Sequence, residues 1–301
     1  MAQQLRALRR RIDSVKSTQK ITSAMELIAS SRIIKAQQRV QAARPYAETM
    51  RRLMASVAAT ATSLDHPMLR ERETVSSVAT IVISSDRGLA GAYNSNVIRA
   101  AERDMRDHGK ESKLFPVGKK AVGYFKFRGH HFEDSWQGFS EQPGIDDARK
   151  VAGAVTKAFS KGEVDQVRLA YTRFESMLVQ RPTTVQLVPL PREEVEGLEE
   201  EEQRGRRAQY EFEPEPEEIL DYLVPRYVEG LVFQGLLEAA ASEQAARRRA
   251  MKAATDNADE LIDTLTRNYN QARQAEITTE IMEVVGGAEA LAASARGGSR
   301  T

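Results

Sequence analysis

The sequence predicts an α/β protein with long helices: an antiparallel coiled coil of the N- and C-terminal helices, with a Rossmann-like α/β domain inserted between them. Three observations predict it. The chain of 301 residues has no glycine before Gly88, where only Pro45 and Pro67 interrupt, and residues 236–285 contain neither glycine nor proline, so residues that stop helices are scarce at both ends. Fifty residues of helix without a break, in 236–285, would extend roughly 75 Å at about 1.5 Å per residue and would need a partner along much of that length. Between the two ends, short β-branched runs alternate with helical patterns, the mark of a mainly parallel sheet.

The first helix is expected over residues 3–60. Leu5, Leu8, Ile12 and Val15 recur at spacings of three and four, the stripe of a helix that packs along one face. Met25, Ile28, Ala36, Val40 and Ala43 extend that stripe less cleanly. Pro45 removes a backbone donor and should bend the helix, and Asp65, His66 and Pro67 end it. A buried strand follows at Val78 to Ile83, then a helix from Asn94 to His108. Lys113 to Val117 reads as a second strand, Lys119 to Phe127 as a helix and His131 to Trp136 as a third strand. Asp146 to Ser160 is a helix with Val151, Val155, Ala158 and Phe159 on one side, and two strands follow at Val167 to Tyr171 and Thr184 to Leu190. Residues 191–213 are charge-dense and aperiodic and read as an exposed loop. Pro214 and Pro216 mark the start of the last helix, in which Leu220, Leu223, Tyr227 and Leu231 restore the helical period. The expected organisation is therefore a coiled-coil helix over 1–62, an α/β domain over 75–190, an acidic loop over 191–213, a coiled-coil helix over 214–293 and a tail over 294–301.

Composition narrows the chemistry. No cysteine is present, so disulfides, thiol catalysis and cysteine-ligated metals are excluded. No run approaches a membrane span, and the start, MAQQLRALRRRID, has no apolar core of a signal peptide. The expected location is the cytoplasm or the cytoplasmic face of a membrane. The net charge of +1 conceals opposed blocks: residues 1–52 carry 12 Lys/Arg against three acids, and residues 193–218 carry 12 Glu against three Arg. Such asymmetry implies charged partners.

The search for a catalytic or ligand site returns little. Ser84 to Asn94 follows a strand and opens a helix, where phosphates bind, but it is neither a dinucleotide nor a P-loop fingerprint. The plainer reading is a tight turn whose glycines let helix and strand approach. His66, His108, His130 and His131 form no metal-ligand spacing. No carboxylate pair or serine triad can be singled out. The basic N-terminal helix has Tyr46 as its sole aromatic residue, which leaves nothing to stack on nucleic-acid bases. No cofactor, no metal and no nucleic acid are expected.

Several separate segments carry a resemblance. They are Thr18 to Ala29 (TQKITSAMELIA), Ala43 to Tyr46 (ARPY), Ser85 to Gly91 (SDRGLAG), Ser242 to Arg247 (SEQAAR), Ala250 to Ala258 (AMKAATDNA), Tyr269 to Thr278 (YNQARQAEIT) and Glu280 to Ala288 (EIMEVVGGA). Together, and in order from end to end, they resemble the gamma subunits of F-type ATP synthases, and Trp136 to Pro143 resembles the actinobacterial branch. Ala90 stands where that family often has cysteine, Lys161 to Asp165 is a short turn where some relatives carry an insertion, and the acidic stretch 193–207 and the tail after Leu291 match poorly.

The resemblance implies a non-catalytic rotary subunit, the central rotor stalk. The terminal helices would stand inside a ring of three alpha and three beta subunits, and the α/β domain would sit with the epsilon subunit on the membrane c ring. Ion-driven rotation of that ring would be coupled to ATP synthesis on the beta subunits. It further implies that Lys20 and Met25 lie near acidic lever loops of the beta subunits, with Met25 alternatively a packing residue of the coiled coil. Arg247, Arg273, Gln274 and Thr278 would make polar contacts to alpha and beta loops, or else face solvent. Tyr210, Phe212 and Glu213 would face the c ring and epsilon, unless the two rings complete the sheet. The two rival readings, a nucleotide-using α/β enzyme and a free-standing coiled-coil adaptor, differ from this one in nucleotide binding by the isolated chain and in co-purifying subunits.

Overall fold

The computed structural model describes residues 2–60, 68, 69, 72, 74–190 and 216–297. The elements, in order, are α1 (Ala2–Thr60), β1 (Ser77–Ile83), α2 (Tyr93–His108), β2 (Glu111–Val117), α3 (Lys119–Phe127), α4 (Ile145–Ser160), β3 (Gln166–Phe174), β4 (Gln180–Val188) and α5 (Pro216–Gly297). They divide between two compact units, Met1–Leu27 with Met251–Thr301, and Ile28–Ala250.

In the larger unit the four strands lie in the order β2-β1-β3-β4. β1 pairs in parallel with β2 and with β3, and the hairpin partner β4 runs antiparallel to β3. Alternation along β1 sends Ala79, Ile81 and Ile83 to one face and Val82 to the other. The first face packs on α4 through Val151, Val155 and Phe159, on α5 through Leu220, Val224, Val228, Val232 and Leu236, and on Met54 and Val57 of α1. The second packs on α2 and α3 through Val97, Ile98, Ala101, Ala121 and Phe125. The unit is thus a three-layer sandwich in which parts of both long helices supply one layer. Gly235 of α5 makes that layer close: a Cβ there would stand 2.8 Å from a methyl carbon of Leu169.

In the smaller unit α1 and α5 run antiparallel. Gln19 Nε2 donates to Asp259 Oδ1 at 2.8 Å, and the hydroxyls of Thr22 and Thr255 are 2.8 Å apart, so the partner number falls as the α1 number rises. Ile12 and Thr22 are buried from one side, and Met251, Ala258 and Leu265 from the other. Leu5, Leu8 and Val15 are half-buried along the same stripe. That is the alternating spacing of three and four expected of a two-helix seam. Continuing the register leaves α5 unaccompanied past roughly residue 275, since α1 begins at Ala2. Ile281, Met282, Val284 and Val285 are exposed on that extension.

Three local expectations need correction. His131 to Trp136 is not a strand: it touches β2 only through isolated bridges, Leu114 with Phe132 and Val117 with Trp136. Gly129 and Gly138 at positive φ break the segment on either side, and Asp134 sits where ladder pairing would continue. The last strand begins four residues earlier than expected, at Gln180, and ends at Val188, before Pro189. Pro182 is accommodated because β4 is an edge strand, where a missing N–H need not be paired. In α1, Ile28 is exposed, and Ala29 and Ile33 are buried instead. The stripe shifts phase there because in the larger unit α1 meets different neighbours from those of the two-helix seam. Pro45 lies inside α1, and the expected terminators Asp65, His66 and Pro67 lie outside the described residues, as does the loop 191–213.

Candidate functional site

The C-terminal edge of β1 is where the α/β layer and α5 meet. Ser84 and Ser85 are buried there. Ser84 Oγ accepts the N–H of Ala121 at 2.8 Å and donates to the Val117 carbonyl at 3.0 Å, which ties the end of β1 to the start of α3. Gly118 makes that crossing possible. Its φ is +90, and a Cβ would stand 2.3 Å from the Ser84 carbonyl oxygen. Ser85 donates through both its N–H and its Oγ to Asn94 Oδ1, each at 2.9 Å, closing the turn onto α2.

The Asp86 carboxylate accepts the N–H groups of Gly138 at 2.8 Å and of Lys119 and Ser140 at 3.1 Å. Burial alone would raise its pKa, but these backbone donors outweigh it and hold the group below the ordinary carboxylate value. Asp86 is therefore a peg that fixes the loop 138–141. The same turn faces α5. Arg247 Nη2 donates to the Gly88 carbonyl at 3.3 Å, Tyr93 donates its phenol to the Ala239 carbonyl at 3.1 Å, and a Cβ on Gly91 would be 3.6 Å from that of Ala250. The glycines serve close packing.

Beneath this turn lies a cluster of charges. Arg247 and Glu243, one helical turn apart on α5, pair at 2.6 Å, and their side chains are 7% and 1% exposed. Burial pushes the Glu243 carboxyl above its ordinary value, against the pull of Arg247. The same environment raises the Tyr93 phenol, chiefly through burial and then through Glu243. Glu141, on the loop held by Asp86, bonds Arg32 of α1 at 2.5 Å and lies 3.6 Å from Arg87 and 3.8 Å from Arg247. Among the described residues no group of acids and histidines could hold a metal ion, and no helix is long and apolar enough to cross a membrane.

The residues singled out from the sequence are distributed as follows. Lys20 is exposed and Met25 half-buried on α1. Arg273, Gln274 and Thr278 are all exposed on α5, and Thr278 Oγ1 bonds back to the Gln274 carbonyl at 2.9 Å. Arg247 differs from them: it is buried within the chain and paired there. Tyr210, Phe212 and Glu213 lie outside the described residues. Sequence reasoning passed over Arg32, Asp86 and Glu141. Asp86 had a signal, an acid between a buried strand and a glycine turn. Arg32 and Glu141 had none, because their partners are far away along the chain.

A family model described as ATP synthase matches residues 4–291. The chain is 50% identical to the ATP synthase gamma chain of Kineococcus radiotolerans over 98% of its own length and 99% of that protein's. The chain belongs to the ATP synthase gamma-chain family. Similar values hold for the gamma chain of Nocardioides sp., 52% identical over 97% of this chain and 98% of that one. Among solved structures, a central stalk/c-ring chain of the Tetrahymena thermophila mitochondrial ATP synthase is 25% identical, covers 78% of this chain and 99% of its own, and has a TM-score of 0.58. A chain of the Euglena gracilis mitochondrial ATP synthase shares the fold at 17% identity, with a TM-score of 0.67, 98% of this chain and 96% of that one covered. Gamma chains form the central stalk and are non-catalytic, the chemistry residing on the beta subunits.

Proposed function

We propose that this chain turns as the rotor shaft of a bacterial F-type ATP synthase, coupling ion-driven rotation of a membrane c ring to ATP synthesis on three beta subunits that alternate with three alpha subunits. The observation that carries the reading is the exposed apolar extension of α5. Ile281, Met282, Val284 and Val285 are turned to solvent past the end of the α1 seam. A monomer gains nothing from such a surface, whereas a partner that encloses the helix end would bury it.

Arg273, Gln274 and Thr278 are exposed next to this extension, and Lys20 and Met25 lie further along the seam; all are proposed to meet alpha and beta loops. The basic charge of residues 1–52 suits acidic lever loops and would make the contact sensitive to salt. The α/β layer is assigned to the foot with the epsilon subunit, and Tyr210, Phe212 and Glu213 to the c-ring contact. The assembly would be peripheral on the cytoplasmic side of the cell membrane. Pull-down of the tagged chain tests the reading: one copy should co-purify with three alpha and three beta subunits. Recovery of the chain alone, or with nucleotide bound to it, would overturn the assignment.

A further inference from the structure

Glu141 stands out among the described residues. It lies on the loop 138–141 rather than on a strand or helix, yet its carboxylate is met by cations from three other elements. Arg32 comes from α1 at 2.5 Å, Arg87 from the turn after β1 at 3.6 Å and Arg247 from α5 at 3.8 Å. Arg39, two turns along α1 from Arg32, reaches the next residue of the loop, Gln142 Oε1, at 3.4 Å. The loop itself is anchored to the sheet: Asp86 accepts the N–H groups of Gly138 and Ser140, and Ser140 Oγ accepts the N–H of Asp86 at 2.9 Å. One carboxylate on a fixed loop therefore links the sheet to both long helices.

The link adds charge contacts beside small buried apolar side chains, Ala29, Ile33 and Ala36 on α1 and Ala240, Ala241 and Ala245 on α5. The apolar face of the sheet holds α1 at Met54 and Val57 and holds α5 over residues 220–239. Arg32 and Arg247 lie beyond those stretches on each helix, so twisting of either helix against the sheet at this level is opposed by the charge cluster together with neighbouring contacts such as Ser242 to the Thr172 carbonyl and Arg249 to the Met177 carbonyl. The cluster also has an unmade bond. Glu141 Oε1 and Arg247 Nη1 are buried, lack hydrogen-bond partners among the described residues and stand 3.8 Å apart. A shift of under about 1 Å would close the pair into a charge-assisted hydrogen bond, so the contact can tighten when α5 moves.

We propose that Glu141 is a latch that fixes both long helices to the α/β layer and thereby sets the torsional stiffness of the shaft. The proposal rests on the rotor reading. Glu141 is a positioning residue, acting through Arg32 and Arg247. The test uses the assembled alpha, beta, gamma and epsilon complex, with its ring immobilised and a bead on the α/β layer. ATP-driven rotation is recorded first, and then the thermal angular spread of the stalled bead. Because a partly buried charge contact is removed, Glu141→Gln is expected to widen the angular variance beyond that of the unaltered complex, with the gamma content and melting temperature of the complex kept. Arg32→Gln, whose side chain is 39% exposed, removes the same bond from the solvent side and should also widen it. Glu141→Asp, which keeps the charge, should recover part of the stiffness. An unchanged variance in Arg32→Gln, or widening only in step with loss of gamma from the complex, overturns the latch. Failure of the unaltered complex to rotate would instead refute the rotor reading.

Discussion

The two units of this chain bury polar groups to opposite ends. In the larger unit, charged and hydroxyl side chains are driven inside and put to use: Glu243, Arg247, Ser84, Ser85 and Ser242 are all buried. Ser242 Oγ donates to the Thr172 carbonyl at 3.0 Å, and the Arg168 guanidinium forks onto both oxygens of Asp104 at 2.7 and 2.8 Å. In the smaller unit, burial is limited to one stripe per helix, with the hydroxyl pair of Thr22 and Thr255 along it and the exposed pair of Gln19 and Asp259 beside it. The difference teaches where stability and where recognition reside. A three-layer core can desolvate charge because it supplies partners. A two-helix seam leaves most side chains outside, available to other proteins.

Substitutions can sharpen or break that contrast. The largest effect is expected in the larger unit. Arg247→Ala would strand Glu243 as a buried unpaired carboxylate and should lower stability by about 3–5 kcal/mol, read by denaturant unfolding of the isolated chain. The double variant Arg247→Met with Glu243→Leu should recover most of the loss, and if it does not, the pair holds more than its own charges. Phe125→Ala, which empties the core between α2, α3 and the sheet, should cost a similar 3–5 kcal/mol or so.

Gly118→Ala comes next. It forces a side chain into a backbone contact at positive φ, and a loss of about 2 kcal/mol or more is expected from thermal unfolding. A loss well below that would mean that the start of α3 can move away from β1.

Asp165 offers a pH test of the same unit. Its carboxylate is held down to about 2, first by the Ser76 hydroxyl and then by the N–H groups of Ser76 and Ser77 and by Arg72. A folded value below the unfolded one contributes stability that is fully present above pH 4 or so and is lost as pH falls toward about 2. Asp165→Asn should therefore lower stability at neutral pH and flatten the acid limb of the stability profile. An acid limb as steep as before would assign it to other carboxylates.

The smallest effects on stability belong to the smaller unit. Thr22→Val, which removes one half of the hydroxyl pair, should change stability by no more than about 1 kcal/mol. Arg273→Ala and Gln274→Ala should leave the melting of the isolated chain unaltered while lowering steady-state ATP hydrolysis of the assembled complex. Met25→Lys should likewise impair coupling more than stability. Unfolding of the chain by any of these would make the seam, rather than the surface, the site of their action.

Much of this was legible in the sequence. The scarcity of glycine and proline marked both long helices, and Leu5, Leu8, Ile12 and Val15 marked the seam, because helix formation and heptad packing are local and periodic. The apolar run at 78–83 marked β1, and the helix at Lys119 to Phe127 was placed to the residue, since Gly118 punctuates it. The motifs that carried the family resemblance lie in order along the chain. Only the tertiary structure decided which polar residues of those motifs face outward. Arg247 and Arg273 both stand on α5 in similar polar surroundings, yet one is buried in a charge cluster and the other is exposed, because only the first lies where the turn after β1 and the loop 138–141 close over the helix. The shift of the buried stripe from Ile28 to Ala29 and Ile33 likewise falls where α1 enters the larger unit. Periodicity reports that a helix has a buried face, but the neighbours that bury it, and the distant charges that meet across it, are set by packing between segments far apart in the chain.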